Sequence, residues 1–147
     1  MSSLQPSDSP LAFQRQMPTA SCERLVRVRR LPRRELVARV TAHLRNNLGE
    51  PISVAELSRL VGVSDRALRA AFHDVIGISP KRYALTQRLR AAHEALCSGS
   101  PDTTTVTDVA MAFGFFELGR FAGRYRQTFG EAPSQTLRHI ATGTQAA

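Results

Sequence analysis

Lysine is almost missing from this chain: Lys81 is the only one. Acidic residues are scarce as well, 12 against 20 lysines and arginines, which leaves a net charge of +8. Two cysteines, Cys22 and Cys97, are too few for a disulfide framework, so a reducing, cytoplasmic setting is expected. No apolar run approaches the length of a membrane span, and no basic start followed by an apolar stretch marks a secretory signal. His43, His73, His93 and His139 stand at no metal-ligand spacing with either cysteine, so neither a metal site nor a cofactor is expected. Paired carboxylates, Cys–His or Ser–His arrangements and a phosphate-cradling glycine loop are lacking. Asp65, Asp74, Glu94 and Glu117 fall at helix starts or on outer faces, where solvated structural roles are the default. The sequence therefore supplies no catalytic candidate, and an enzyme is not expected.

What remains is a basic chain built almost wholly with arginine. Such a balance favours polyanions, nucleic acid before anionic membrane. Arginine forks onto phosphates and guanine edges, although a GC-rich genome raises its frequency too. Composition alone leaves those two explanations level, so the placement of the arginines has to decide.

The most informative feature is an internal repeat. Val54–Gly62 recurs as Val106–Gly114, and Leu68–Pro80 recurs as Phe121–Pro133, one residue having been added just after the turn. The length suits one domain plus a tail, or two very small domains. Residues 1–33 read as a disordered or linker-like tail rich in Ser, Pro, Gln and Thr. Within it Arg24–Arg30 alternates apolar and basic residues; it fits a short strand or a basic arm on phosphates, with a solvated linker as the first expectation. A DNA-binding domain is expected over 34–141. Pro32 suits the start of a helix carrying Leu36, Val37, Val40, Leu44 and Leu48 at helical spacing, ended by Gly49, Glu50 and Pro51.

Ser53 with Glu56, and Thr105 with Asp108, mark two helix starts by the same capping device. Gly62 and Gly114 follow, each able to take the left-handed backbone of a tight turn. Ser64 caps the next helix in the first copy; in the second, Phe116 or Glu117 makes a weaker cap. Leu68, Ala71, Phe72, Val75 and Ile76 form one buried stripe, and Leu118, Phe121, Ala122, Tyr125 and Phe129 the other. Ser79 and Pro80 open a helix to Cys97, with Tyr83, Leu85, Leu89, Ala92 and Leu96 apolar; a last helix from Pro133 carries Leu137 and Ile140. The expected fold is all-α, with about seven helices. Two helix-turn-helix units (53–76 and 105–129) are joined by a long linker helix (80–97).

In a helix-turn-helix the second helix enters the major groove and shows its outer residues to base edges. Subtracting the first stripe leaves Arg66, Arg69, Ala70 and His73 outward. Arginine grips guanine O6 and N7, and alanine fits a thymine methyl. The same subtraction in the second unit leaves Gly119, Arg120, Gly123, Arg124 and Gln127. Two glycines on an exposed helix face cost about 1 kcal/mol each relative to alanine, so either the backbone approaches DNA there or the positions are tolerant. Arg120 is then the chief base reader of the second unit. Arg82, Arg124, Arg126 and Gln127 are candidates for phosphates, which position a helix without reading sequence. The first unit is expected to specify and the second to anchor.

Ala55–Leu57, Gly62–Ser64, Leu68–Phe72, Gly77–Pro80, Arg88–Leu89, Ala92–Leu96, Gly114–Phe115, Phe121, Tyr125, Phe129–Gly130 and Pro133 occur in one order along the chain. Over roughly Arg34 to Ile140 that order resembles the DNA-binding domain of the AraC/XylS family of bacterial transcription regulators. The resemblance implies two units that enter successive major-groove segments of double-stranded DNA, and an activator that touches RNA polymerase. It places base readers at Arg66, Arg69, Ala70, His73, Gly119, Arg120 and Gly123, where the two glycines depart from the family's polar side chains. Many members carry an effector-sensing domain first. With about 33 residues ahead of the match, the chain reads as a short stand-alone regulator or the C-terminal part of a longer one. The competing functions are a DNA-binding module of a recombination or repair protein and a basic helical protein-interaction module. No membrane partner is expected.

Overall fold

The protein's structure, a computed structural model, describes residues 31–143; Arg24–Arg30, Cys22 and the side chain of Ile140 lie outside the described residues. Seven helices and no strand occur among them: α1 (Arg33–Asn46), α2 (Val54–Val61), α3 (Asp65–Ile76), α4 (Pro80–Ser98), α5 (Val106–Ala112), α6 (Leu118–Phe129) and α7 (Pro133–Gly143). The all-α fold of two helix-turn-helix units and a long linker helix is the one expected.

Local chemistry sets most of the boundaries. Ser53 Oγ accepts the Glu56 amide at 3.2 Å while the Glu56 carboxylate accepts the Ser53 amide at 2.7 Å, a closed capping box at the start of α2. At α5 only half of this device forms. Thr105 Oγ1 accepts the Asp108 amide at 3.0 Å, but the Asp108 carboxylate takes the Thr105 hydroxyl at 2.6 Å. Aspartate is one methylene shorter than glutamate, and no bond from it to the Thr105 amide is made. Ser64 and Ser79 cap α3 and α4 through their hydroxyls. Glu117 occupies the cap position of α6 without a capping hydrogen bond, and Pro32 precedes α1 as its cap rather than as a helical residue. α1 also ends sooner than its apolar period suggests. The Asn47 side chain donates to His43 O at 2.8 Å, so Leu48 lies past the helix and is only half-buried.

Two hydrophobic cores result, one per unit. Leu36, Val37, Val40 and Leu44 of α1 pack with Leu57, Leu68, Ala71, Phe72 and Tyr83. Val109, Ala110, Phe115, Phe121, Tyr125 and Leu137 pack with Leu89, Ala92 and Leu96. α4 thus lends its first turn to one core and its later turns to the other. Each large aliphatic or aromatic side chain so buried stabilises by about 1.5–3 kcal/mol. The supporting helix comes first in one unit, where α1 packs on α3, and last in the other, where α7 packs on α4.

The expected stripes are longer than the cores that cover them. Val75, in the last turn of α3, is 40% exposed, and Leu118, the first residue of α6, is 41% exposed. Ile76, Ala122 and Phe129 are half-buried. Helical periodicity identifies a face, but only the neighbouring helices decide how far along that face water is excluded.

Candidate nucleic-acid interface

Each reading helix is aimed by a glycine turn. Gly62 and Gly114 sit at φ 69° and 73°, in the left-handed region that glycine adopts without strain. Gly62 has open space where a Cβ would point, so conformation alone requires it. Gly114 has a second reason. A Cβ there would stand 2.7 Å from Gly49 O and 3.1 Å from an Arg88 guanidinium nitrogen. The turn of the second unit therefore presses on the α1–α2 loop of the first and on the linker helix.

Arg66, Arg69, Ala70 and His73 all lie exposed on α3. Arg66 and Arg69 form no ion pair among the described residues, whereas Arg33 is bound to Asp74 and Arg39 to Glu35. Asp65, the acid nearest in sequence to Arg66, accepts the Ser58 hydroxyl. Gly119, Arg120, Gly123, Arg124, Arg126 and Gln127 lie exposed on α6. Arg120 differs from the arginines of α3 in being held by Glu117, Nε to Oε2 at 2.9 Å and Nη1 to Oε1 at 3.3 Å. Both side chains are exposed, so the pair contributes about 0–1 kcal/mol and competes weakly with a phosphate or a guanine. Gly119 and Gly123 each have nothing within 4 Å of the place a Cβ would take, so packing does not require either.

Three open clefts collect the cations. One of about 450 Å³ lies between the start of α2, α3 and α4, with Arg69, Lys81 and Arg88 on its walls. A second, about 190 Å³, joins Arg88, Phe116, Arg120 and Arg124. The third, about 410 Å³, brings together Arg82, Arg124 and Gln127. Three of the four expected phosphate-holding residues thus surround one cleft, while Arg126 lines none of the three.

Lys81 and Arg88 were not singled out from the sequence as site residues. They lie two turns apart on one face of α4, a spacing that α4's apolar stripe conceals. Arg88 is half-buried. Its guanidinium carbon sits 5.2 Å from the Phe115 ring centre, Nη1 donates to Gly114 O at 3.5 Å, and Nε is buried without a partner. Burial, and then the charge of Arg124, lower its pKa below the ordinary arginine value. The side chain is a strut between the units as much as a surface cation.

Behind α6 runs a polar chain inside the second core. His93 Nδ1 and the Tyr125 hydroxyl are 2.6 Å apart, Tyr125 donates to Thr136 Oγ1 at 2.9 Å, and Thr136 donates to Glu131 at 2.5 Å. His93 also stacks on Phe129 at 4.3 Å. Burial raises the Tyr125 pKa. The chain ties α4, α6 and α7 together and satisfies groups that would otherwise be unpaired. Among the described residues no group of three His, Cys, Asp or Glu is placed to hold a metal, and no helix is long and apolar enough to cross a membrane.

Two helix-turn-helix units sharing a linker helix, with cationic clefts beside both reading helices, define a DNA-binding module. Comparison with known proteins narrows the class. Residues 57–139, over half of the chain, match the profile of a helix-turn-helix domain family. The probable thc operon regulatory protein of Rhodococcus erythropolis is 39% identical over 98 residues, which make up 67% of this chain and 30% of that protein. The XylDLEGF operon transcriptional activator 3 of Pseudomonas putida is 39% identical over 100 residues, 68% of this chain and 30% of that protein. A solved structure described as a probable AraC family transcriptional regulator, from Rhodopseudomonas palustris, is 40% identical, with a TM-score of 0.66 and coverage of 72% of this chain and 97% of that one. The chain belongs to the AraC/XylS family and carries its DNA-binding domain. That is a family of DNA-binding transcription regulators and not of enzymes. The chain spans about a third of the length of these two curated relatives, 30% in each case.

Proposed function

We propose that the chain is a sequence-specific regulator of transcription, an activator, that lays α3 and α6 into successive major-groove segments on one face of double-stranded DNA. The observation that carries this reading is the outer face of α3. Arg66 and Arg69 stand exposed with no ion pair among the described residues, on a helix whose opposite face is sealed into the first core. Arginines that are not committed to carboxylates are free to meet guanine edges and phosphates. Arg66, Arg69, Ala70 and His73 read bases in this scheme. Arg120 reads from the second unit between Gly119 and Gly123, while Arg82, Arg124, Arg126 and Gln127 hold phosphates.

The DNA-binding unit spans 34–141 together with Arg33, the first residue of α1, and the residues ahead of that helix form its tail. It works in the cytoplasm, on the nucleoid, and activation brings it against RNA polymerase. The Pseudomonas putida relative carries the word activator in its name, which supports that direction. An effector-sensing domain belongs to the scheme wherever the chain is part of a longer regulator.

Selection of bound duplexes from a random pool, followed by footprinting of the winner, tests the proposal. A short motif should be enriched, with protection over about two helical turns, the span of two half-sites one turn apart. Affinity should fall with salt at a slope of about −0.9 per phosphate contact. Absence of binding at low salt overturns the reading.

A further inference from the structure

The outer face of α6 is interrupted by Gly119 and Gly123, and apolar side chains stand exposed at its start. Phe116, at the turn before α6, is 67% exposed, and Leu118, its first residue, is 41% exposed. Neither belongs to the second core. Large apolar side chains left in water forgo about 25 cal/mol per Å² of burial, so two of them, two residues apart at the start of α6, call for an occupant. Their surroundings select it. Phe116 shares a cleft with Arg88, Arg120 and Arg124, a cationic mouth that draws in a polyanion. Just beyond, Gly119 and Gly123 leave open space in front of the helix, so the backbone can come close to whatever lies there.

The N-terminal residues of a reading helix are the ones that reach base edges. In the major groove the apolar feature that a base pair presents is the C5 methyl of thymine. We infer that Phe116 and Leu118 read thymine methyl groups in the second half-site, the glycines of α6 letting the helix sit deep enough for van der Waals contact. The second unit then recognises sequence by shape and methyl burial, with Arg120 as its polar reader. This inference rests on the proposal that α6 enters the major groove.

The experiment uses the whole chain and the duplex it selects from a random pool. Each thymine of the half-site under α6 is replaced singly by deoxyuridine, which removes the methyl and nothing else. Wild-type affinity should fall about fourfold at one or two positions, the size expected for one buried methyl group. Phe116→Ala and Leu118→Ala should bind the thymine duplex more weakly and become indifferent to deoxyuridine, each at its own position. Both side chains are exposed, and unchanged melting temperatures would establish that the variants are folded. Indifference of the wild type at every position, a half-site without thymine, or variants that keep full sensitivity would each overturn the inference. Failure to enrich any sequence would overturn the proposed function itself, and this inference with it.

Discussion

The two units of this protein share their scaffold and differ in what the scaffold carries. Each has a capped helix, a glycine turn and a reading helix ended by a left-handed glycine, Gly77 or Gly130. Their supports are not equivalent. α2 starts on a closed capping box and α3 on a serine cap; α5 starts on half a box and α6 on none. What α6 lacks in local capping it gains in tertiary anchorage, through the aromatic cluster of Phe115, Phe121, Tyr125 and Phe129 and the polar chain behind it. Helix stability in a folded domain comes mainly from packing, so a weak start is tolerated where the buried face is strong. The same exchange appears on the outside. α3 presents unpaired arginines; α6 presents Arg120 tethered to Glu117, the exposed Arg124 and Arg126, two glycines and an apolar rim.

The largest expected effect separates the two turns. Gly62→Ala should lose about 1–2 kcal/mol from left-handed strain alone. Gly114→Ala should lose that and roughly 1–3 kcal/mol more from overpacking, because its Cβ would meet Gly49 O and Arg88. Denaturant unfolding of the two variants makes the measurement, and equal losses would show that the units do not press on each other at Gly114. Next in size is the reading function. Arg69→Ala should cost about 1–3 kcal/mol of discrimination between the selected and a scrambled duplex. Arg120→Ala should cost less, since that arginine is already held by Glu117. A larger effect at Arg120 would reverse the division of labour between the units.

The smallest effect concerns the caps. Hydrogen bonds from the Ser53 hydroxyl and amide lower the Glu56 pKa below its ordinary value of 4.5. A lowered carboxylate pKa stabilises the folded state above the unfolded value, and that contribution is lost as pH falls through the lowered one. The Ser53 amide resonance should titrate with a midpoint below 4.5, and Glu56→Gln should abolish that titration. A titration that survives the substitution would mean that the Glu56 bond is not what closes the box.

Much of this could be read in advance because it is local. A serine three residues before a glutamate, a glycine after an apolar run and a proline behind a serine each act within a few residues, and the helices they imply are present. The outward positions of α3 and α6 followed from subtracting a period. A helical period overreaches where nothing covers the face it marks. Val75 and Leu118 continue their stripes in sequence, but no neighbouring helix reaches over them, and both stand exposed. Arg82, Arg124 and Gln127 were each legible as basic or polar outer residues; their meeting around one cleft was not, because it depends on how α4 and α6 pack.

The helices, their caps, the duplication and the basic outer faces are written locally in the chain, since they depend on backbone preferences and side-chain periods that operate within one or two turns. How the units are joined depends on long-range packing. The approach of Gly114 to Gly49, the seating of Arg88 on Phe115 and the linking of His93, Tyr125 and Thr136 bring together residues far apart in the chain. Such contacts follow from packing geometry, which no local pattern encodes, and they join the two copies of a doubled motif on one frame.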